Sequence, residues 1–316
     1  MRRIASVLAI AGGVVLVILP LGYSMFGRTA DAERILDRFT FLTLGDNPER
    51  YLEEAVITRD GSSQLVERAI PELAAEAGIA QAELEDRSPT LVEAQQTVPE
   101  ARDFSVRYSE QLEAVKDKFQ PVYDIPSSGL PLTAVPYFFL IAGLAAIVLG
   151  GIALRSASRR PVVAIAALGA VLVLGPVAFG GISKSADGED VKDFASNGLT
   201  ERAATAAQDA STALDEVVAE TQQSTLPYLA SAQGVSVEQV EQELAAGYPE
   251  AATFLDEWDT IGPRLSRLAD AVSESVAEFE SADRLPIALP VWILLAAGVL
   301  LVGAAGLALT RSAEPR

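Results

Sequence analysis

Residues 134–183 read AVPYFFLIAGLAAIVLGGIAL, then RSASRR, then PVVAIAALGAVLVLGPVAFGGIS. Two long apolar runs are divided by six residues, three of them arginine. The charge-free stretches around this hinge are Ile125–Leu154 and Pro161–Ser183, and two more lie toward the ends of the chain, Ile4–Gly27 and Leu285–Thr310. Each exceeds the roughly 20 residues a helix needs to cross about 30 Å of hydrocarbon. A helix of that length in a water-soluble core would carry a polar stripe along its wet side. None of the four does. The sequence therefore predicts an all-α membrane protein with four transmembrane helices, at 1–27, 134–154, 161–183 and 285–310.

Charge sets the orientation. The chain has 43 acids against 24 bases, a formal net charge of −19, and the excess is unevenly placed. Segment 28–133 holds 21 acids and 11 bases, and segment 184–284 holds 21 acids and 6 bases. What remains is Arg2, Arg3, Arg155, Arg159, Arg160, Arg311 and Arg316, against Glu314 alone. Short basic flanks stay in the cytoplasm. The loop 155–160, the tail 311–316 and the N-terminus are therefore expected inside, and 28–133 and 184–284 outside, as two acidic domains.

Composition also limits the chemistry. The 20 arginines against 4 lysines, with abundant alanine, fit a GC-rich bacterial genome and hence a bacterial cytoplasmic membrane. Without cysteine the outer domains have no disulfides and depend on packing. Without His or Cys, a zinc, haem or iron–sulfur centre lacks its usual ligands. The spans contain no ionisable residue, which argues against a coupled transporter or pump. No nucleophile elbow or phosphate loop occurs, and without His any proton transfer would fall to carboxylates, Tyr or Lys. The clusters Asp187/Glu189/Asp190/Asp193 and Asp256/Glu257/Asp259 lack the alternation and central Gly of a calcium loop and read as solvated surface. No enzyme activity and no catalytic, cofactor-binding or metal-ligating residue is expected, and a surface this acidic does not suit nucleic acid.

The chain reads as one unit written twice, 1–156 and 157–316. At a shift of about 156 residues, Ile70-Pro71-Glu72-Leu73-Ala74 meets Leu226-Pro227-Tyr228-Leu229-Ala230, and Gly78-Ile79 meets Gly234-Val235. After a gap of six, Pro99-Glu100-Ala101 with Phe104 meets Pro249-Glu250-Ala251 with Phe254. Leu130-Pro131-Leu132 resembles Leu285-Pro286-Ile287, Pro136 matches Pro290, and Pro20 matches Pro176. The first span, despite a small-x-small triplet at Ala30-Asp31-Ala32, then corresponds to the third and is expected to be a retained anchor. Its run of 24 residues also exceeds the usual 7–15 of a signal core. Two spans per unit place the copies the same way up, the parallel kind of repeat.

Both outer domains are expected to be helical and coiled-coil-like. Phe254, Trp258, Ile261, Leu265, Leu268, Val272, Val276 and Phe279 recur at alternating steps of four and three, a seam with Pro263 inside it. Phe104, Tyr108, Leu112, Val115, Phe119 and Val122 repeat the pattern in the first unit, ending near Pro121. The stretch Asp190–Gln223 has few breakers and is expected as the partner helix, with Ala210, Leu214, Val217 and Thr221 on one side. Its counterpart, beginning with Ile35, Phe39 and Leu42, meets Gly45, Pro48 and Gly61 and should be more broken. Between the long helices, Ser236 and Gln239 have capping-box spacing while Ala80 leaves the first copy uncapped. The motif Leu/Ile-Pro-x-Leu-Ala-x-x-x-Gly predicts a helix, a Gly stop and a second short helix.

In the spans, Ala142, Ala146 and Gly150 have the spacing of a close helix contact. Tyr23, Phe26, Tyr137, Phe138, Phe139, Phe179 and Trp292 fit an interfacial aromatic belt. Together these readings point to a non-enzymatic accessory or scaffold subunit of a cell-envelope complex. It would dock other membrane or envelope proteins through its spans and acidic ectodomains, with Phe254, Trp258, Ile261, Leu265, Leu268 and Val272 as the candidate docking seam. The alternative is an extracytoplasmic module that holds a lipid or other amphiphile between its helices. An open apolar groove would favour the second reading, and a packed core the first.

Overall fold

The structure is a computed structural model of the 316-residue chain. It describes residues 2–43, 47–95, 108, 110–119, 132–156, 158–178, 181–284 and 287–310. Among these, every regular element is helical. The order is α1 (Arg2–Gly22), α2 (Met25–Thr43), α3 (Asn47–Gln64), α4 (Ile70–Glu76), α5 (Gln81–Arg87), α6 (Ala134–Arg155), α7 (Arg160–Ala178), α8 (Gly181–Gly198), α9 (Glu201–Glu220), α10 (Leu226–Gln233), α11 (Val237–Gly247), α12 (Pro249–Ala282) and α13 (Ala288–Thr310). Residues 89–95 and 110–119 are also helical. The chain forms two compact units, one of residues 1–37, 117–193 and 277–316, the other of residues 38–116 and 194–276.

The first unit contains α1, α6, α7 and α13, four helices long and apolar enough to cross a membrane. Glycines let these helices pair at backbone distance. A Cβ on Gly13 would lie 2.5 Å from the Gly143 carbonyl oxygen, and one on Gly143 would lie 2.7 Å from that of Gly13. The pair α7–α13 repeats the arrangement: a Cβ on Gly169 would sit 2.8 Å from the Gly298 oxygen, and the reverse distance is 2.7 Å. Ala142 and Ala146 are buried, and a Cβ on Gly150 would meet the Ser6 carbonyl at 2.8 Å, so this small-residue stripe is a helix contact. Large side chains such as Ile141, Leu174 and Val299 point outward. Tyr23, Tyr137, Phe138 and Trp292 are exposed at the helix ends, and Phe26 meets Tyr137 edge-on at 5.0 Å. Phe139 is different. It is fully buried among the helices and is a core residue rather than part of an aromatic belt. Phe179 lies outside the described residues.

In the second unit, both copies of the Pro motif follow a feature that the sequence did not announce. Leu65–Ala69 and Thr221–Thr225 are single π-helical turns, 156 residues apart. Proline lacks the N–H of a regular helix, and its ring crowds the carbonyl four residues back. A π-turn directly before Pro71 and Pro227 widens the helix there, with the Ile70 N–H donating to the Leu65 oxygen and the Leu226 N–H to the Thr221 oxygen. The stops come where the motif placed them. Gly78 and Gly234 have φ of +73° and +72°, which favours glycine. The N–H of the next residue, Ile79 or Val235, reaches five residues back at 2.9 and 3.0 Å. The Ser236–Gln239 capping box is formed, whereas Ala80 provides no cap.

The partner helix is not continuous. Instead of running through Asp190–Gln223, it breaks after Gly198, and Thr200 starts α9 by accepting a hydrogen bond from the Ala203 N–H at 3.1 Å. A capping side chain competes with helix continuation, and after a glycine it wins. Residues 44–46, the matching position in the first copy, lie outside the described residues, as do Phe104, Pro121 and Val122. Gly61, read as a breaker, sits inside α3. A Cβ there would fall 2.3 Å from Phe254 Cβ, so the glycine admits α12 to close contact.

The core of this unit draws on both halves of the chain. Leu65, Ile70, Leu73 and Leu84 pack with Leu214, Val217, Leu226, Leu229, Val240, Leu244, Phe254 and Trp258. Reciprocal polar contacts tie the two motif regions. The Tyr228 hydroxyl donates to Glu83 at 2.5 Å, the Tyr248 hydroxyl donates to Glu72, and the Arg87 guanidinium lies 5.5 Å from the Tyr228 ring centre.

Candidate functional site

The proposed docking seam is turned inward. Phe254, Trp258, Ile261, Leu268 and Val272 are all buried, and Leu265 is half-buried. Phe254 and Trp258 meet edge-on at 5.0 Å, and the indole N–H donates to Asp215 at 2.9 Å, which fixes α12 against α9. The seam is therefore core surface. Arg267, on the adjoining face, stacks 4.2 Å from the Phe41 ring centre.

Among the described residues the packing leaves a cleft between α3, α9 and α12. It gives the centres of water-sized molecules about 50 Å³. One wall, from α3, is mixed and carries Tyr51, Glu54, Ala55, Thr58, Arg59 and Ser62, although most of the surface the cleft exposes is apolar. The facing wall is apolar, with Ala207, Ala210 and Leu214 from α9 and Ile261, Leu265 and Leu268 from α12. Arg264 of α12 completes the lining and crosses to the polar side.

Glu54 is the centre of this arrangement. Its side chain is 9% exposed, and its Oε1 receives the Arg50 Nε at 3.1 Å as well as the Arg264 guanidinium. A carboxylate buried to that extent requires such partners. Of the two guanidiniums, Arg264 lines the cleft and Arg50 is largely exposed to solvent. Arg59 is balanced by Asp60 through two hydrogen bonds of 2.7 and 2.8 Å, which hold the Asp60 carboxyl below its usual range. Burial pushes the Tyr51 phenol well above its usual range, and Tyr108 and Glu54 add to the shift. Tyr51 thus stays protonated and able to donate. Its ring meets Tyr108 at 6.1 Å, and among the described residues its hydroxyl makes no hydrogen bond.

Sequence reasoning missed this cleft because its walls come from stretches about 150 and 210 residues apart. A signal was present nonetheless. At the shift of 156, Tyr51, Glu54, Thr58 and Ser62 align with Ala207, Ala210, Leu214 and Val218, a polar face against an apolar one. Among the described residues no group of three or more acidic side chains is placed to hold a metal ion. Neither a protein-family model nor a curated protein matches this chain.

Proposed function

We propose that this protein is a non-enzymatic, membrane-anchored accessory or scaffold subunit of a bacterial cell-envelope complex. Both termini lie in the cytoplasm and the acidic helical unit lies outside. The observation that carries this reading is the closed core of that unit. Helices from both halves bury their apolar faces on one another, including the seam on α12. Binding capacity then resides in the outer surface, and the charge there is lopsided. Residues 38–116 and 194–276 hold 30 acids against 11 bases, while the other unit is balanced at 13 against 13. A surface of one sign steers partners of the opposite sign, so the outside partner is basic. In the spans, the outward apolar side chains offer contacts to lipid or to a partner's helices.

The two halves are read as duplicated copies. Support comes from features recurring at a shift of 155 or 156 residues: the π-turns, the left-handed glycines, and the pairs Gly13–Gly143 and Gly169–Gly298.

A photo-crosslinking amino acid at Ile141, Leu174 or Val299 tests the scaffold role in living cells. The expected result is a discrete protein adduct at one or two of these sites and lipid adducts elsewhere. Lipid adducts at every site, with a homogeneous purified protein that carries no partner, would refute it. The amphiphile reading draws on the mixed lining of the cleft. However, about 50 Å³ is far below the roughly 300 Å³ at which pockets for larger ligands begin.

A further inference from the structure

We infer that the cleft between α3, α9 and α12 is a binding site for a short-chain carboxylate. Three observations converge on it. First, the polar positions of the α3 wall are not required by the fold. The aligned positions on α9, Ala207, Ala210, Leu214 and Val218, are apolar, and the first three line the same cleft. On α3 the Thr58 and Ser62 hydroxyls donate to the Glu54 and Arg59 carbonyls and Glu54 is paired with two arginines, whereas the half-buried Tyr51 hydroxyl has no partner among the described residues. Tyr51 is the donor that this wall leaves to a ligand.

Second, the spare donors suit a carboxylate. The helical unit carries 30 acids and 11 bases, so an anion is repelled from most of its surface. At the cleft Arg264 pairs with Glu54, which also receives Arg50, a largely exposed side chain that does not line the cleft. Arg264 spends one N–H on Glu54, and a guanidinium carries five in a fork suited to carboxylates. Tyr51 adds a hydroxyl that is protonated and has no acceptor among the described residues.

Third, the dimensions limit the tail. About 50 Å³, at roughly 10–15 Å³ per water, has room for about three to five waters. That matches a carboxylate with about two or three further carbons lying against Ala207, Ala210 and Leu265. The inference is independent of the scaffold reading, since the site can be occupied with or without a partner.

Ligand-observed NMR on the full chain in maltoside micelles tests it, with butyrate as the probe. Butyramide serves as the uncharged analogue of the same shape. Butyrate should bind saturably and at least tenfold more tightly than butyramide. Ala210→Leu fills the cleft without touching a charge and should weaken butyrate at least tenfold while leaving the melting temperature unchanged or raised. Tyr51→Phe should weaken it several-fold. Octanoate should bind no tighter than butyrate. Absence of saturable binding, equal binding of butyramide, full binding by Ala210→Leu, or tighter octanoate binding that survives that substitution would each overturn the inference.

Discussion

A single hydroxyl shows how two positions aligned at the shift of 156 can differ in packing. Thr221 is fully buried in the second π-turn, and its Oγ1 finds no hydrogen-bond partner among the described residues. The residue aligned with it at that shift is Leu65, also fully buried. A buried hydroxyl left unsatisfied costs about 1–3 kcal/mol, and replacing it by a methyl of the same shape removes that cost. Thr221→Val should therefore raise the melting temperature by a few degrees, at about 2–4 °C per kcal/mol for a domain of this size. A lower melting temperature in a detergent melt would mean that the hydroxyl has a partner, such as a bound water. Thr225 is the contrast. It is equally buried, but its hydroxyl is within 2.9 Å of that of Ser88 and 3.3 Å from the Glu220 carbonyl.

At the scale of helices, the paired Pro-Gly motifs allow one copy to serve as the control for the other. Ser236 has φ −82° and ψ 160°, and Ala80 has φ −69° and ψ 145°, so both backbones are set for a cap. Ser236→Ala should cost about 1 kcal/mol, and Ala80→Ser should gain about the same. If Ala80→Ser gained nothing, the two corners would not be equivalent and the duplication reading would weaken. The seam on α12 makes a larger claim. Leu268 is 3% exposed, and truncating such a residue typically costs about 2–5 kcal/mol. Leu268→Ala should lower the melting temperature clearly, whereas Asp270→Ala on the exposed face should change stability by less than about 0.5 kcal/mol. Equal melting of the two variants would remove the seam from the core. The corners were legible because Ser236, Gln239, Gly78 and Gly234 act through their own backbone neighbourhood. The π-turns were not, because Pro71 and Pro227 are equally compatible with a helix start or a kink. Gly61 misled for a related reason: its purpose is the approach of Phe254, nearly two hundred residues away in sequence. The seam's spacing revealed that one face is buried, but spacing alone does not say whether this chain or a partner covers it.

For the molecule as a whole, the testable claim is which segments face which side of the membrane. The chain has no cysteine, so one introduced thiol is a unique label. Ala82 and Ser273 are exposed in the helical unit, and Ser158 is exposed between α6 and α7. Ala82→Cys and Ser273→Cys should react with an impermeant maleimide in intact cells, and Ser158→Cys should react after lysis. The opposite pattern would invert the topology. The four long apolar helices were legible in composition alone, since length and freedom from charge are local properties. Their pairing through Gly13–Gly143 and Gly169–Gly298 was not, because glycine spacing does not name the helix it meets. Freedom from charge in these helices has one further physical consequence. A transmembrane voltage acts on charge, at about 2.3 kcal/mol per elementary charge per 100 mV, and the stretches Ile4–Gly22, Ala134–Leu154, Pro161–Ala178 and Ala288–Thr310 contain none. Tilting, sliding or partner exchange within the hydrocarbon would move no ionised side chain through the field, only the partial charges of the helix ends. Such rearrangements should therefore respond only weakly to membrane voltage, with nearly the same equilibrium in an energised cell as in a depolarised one.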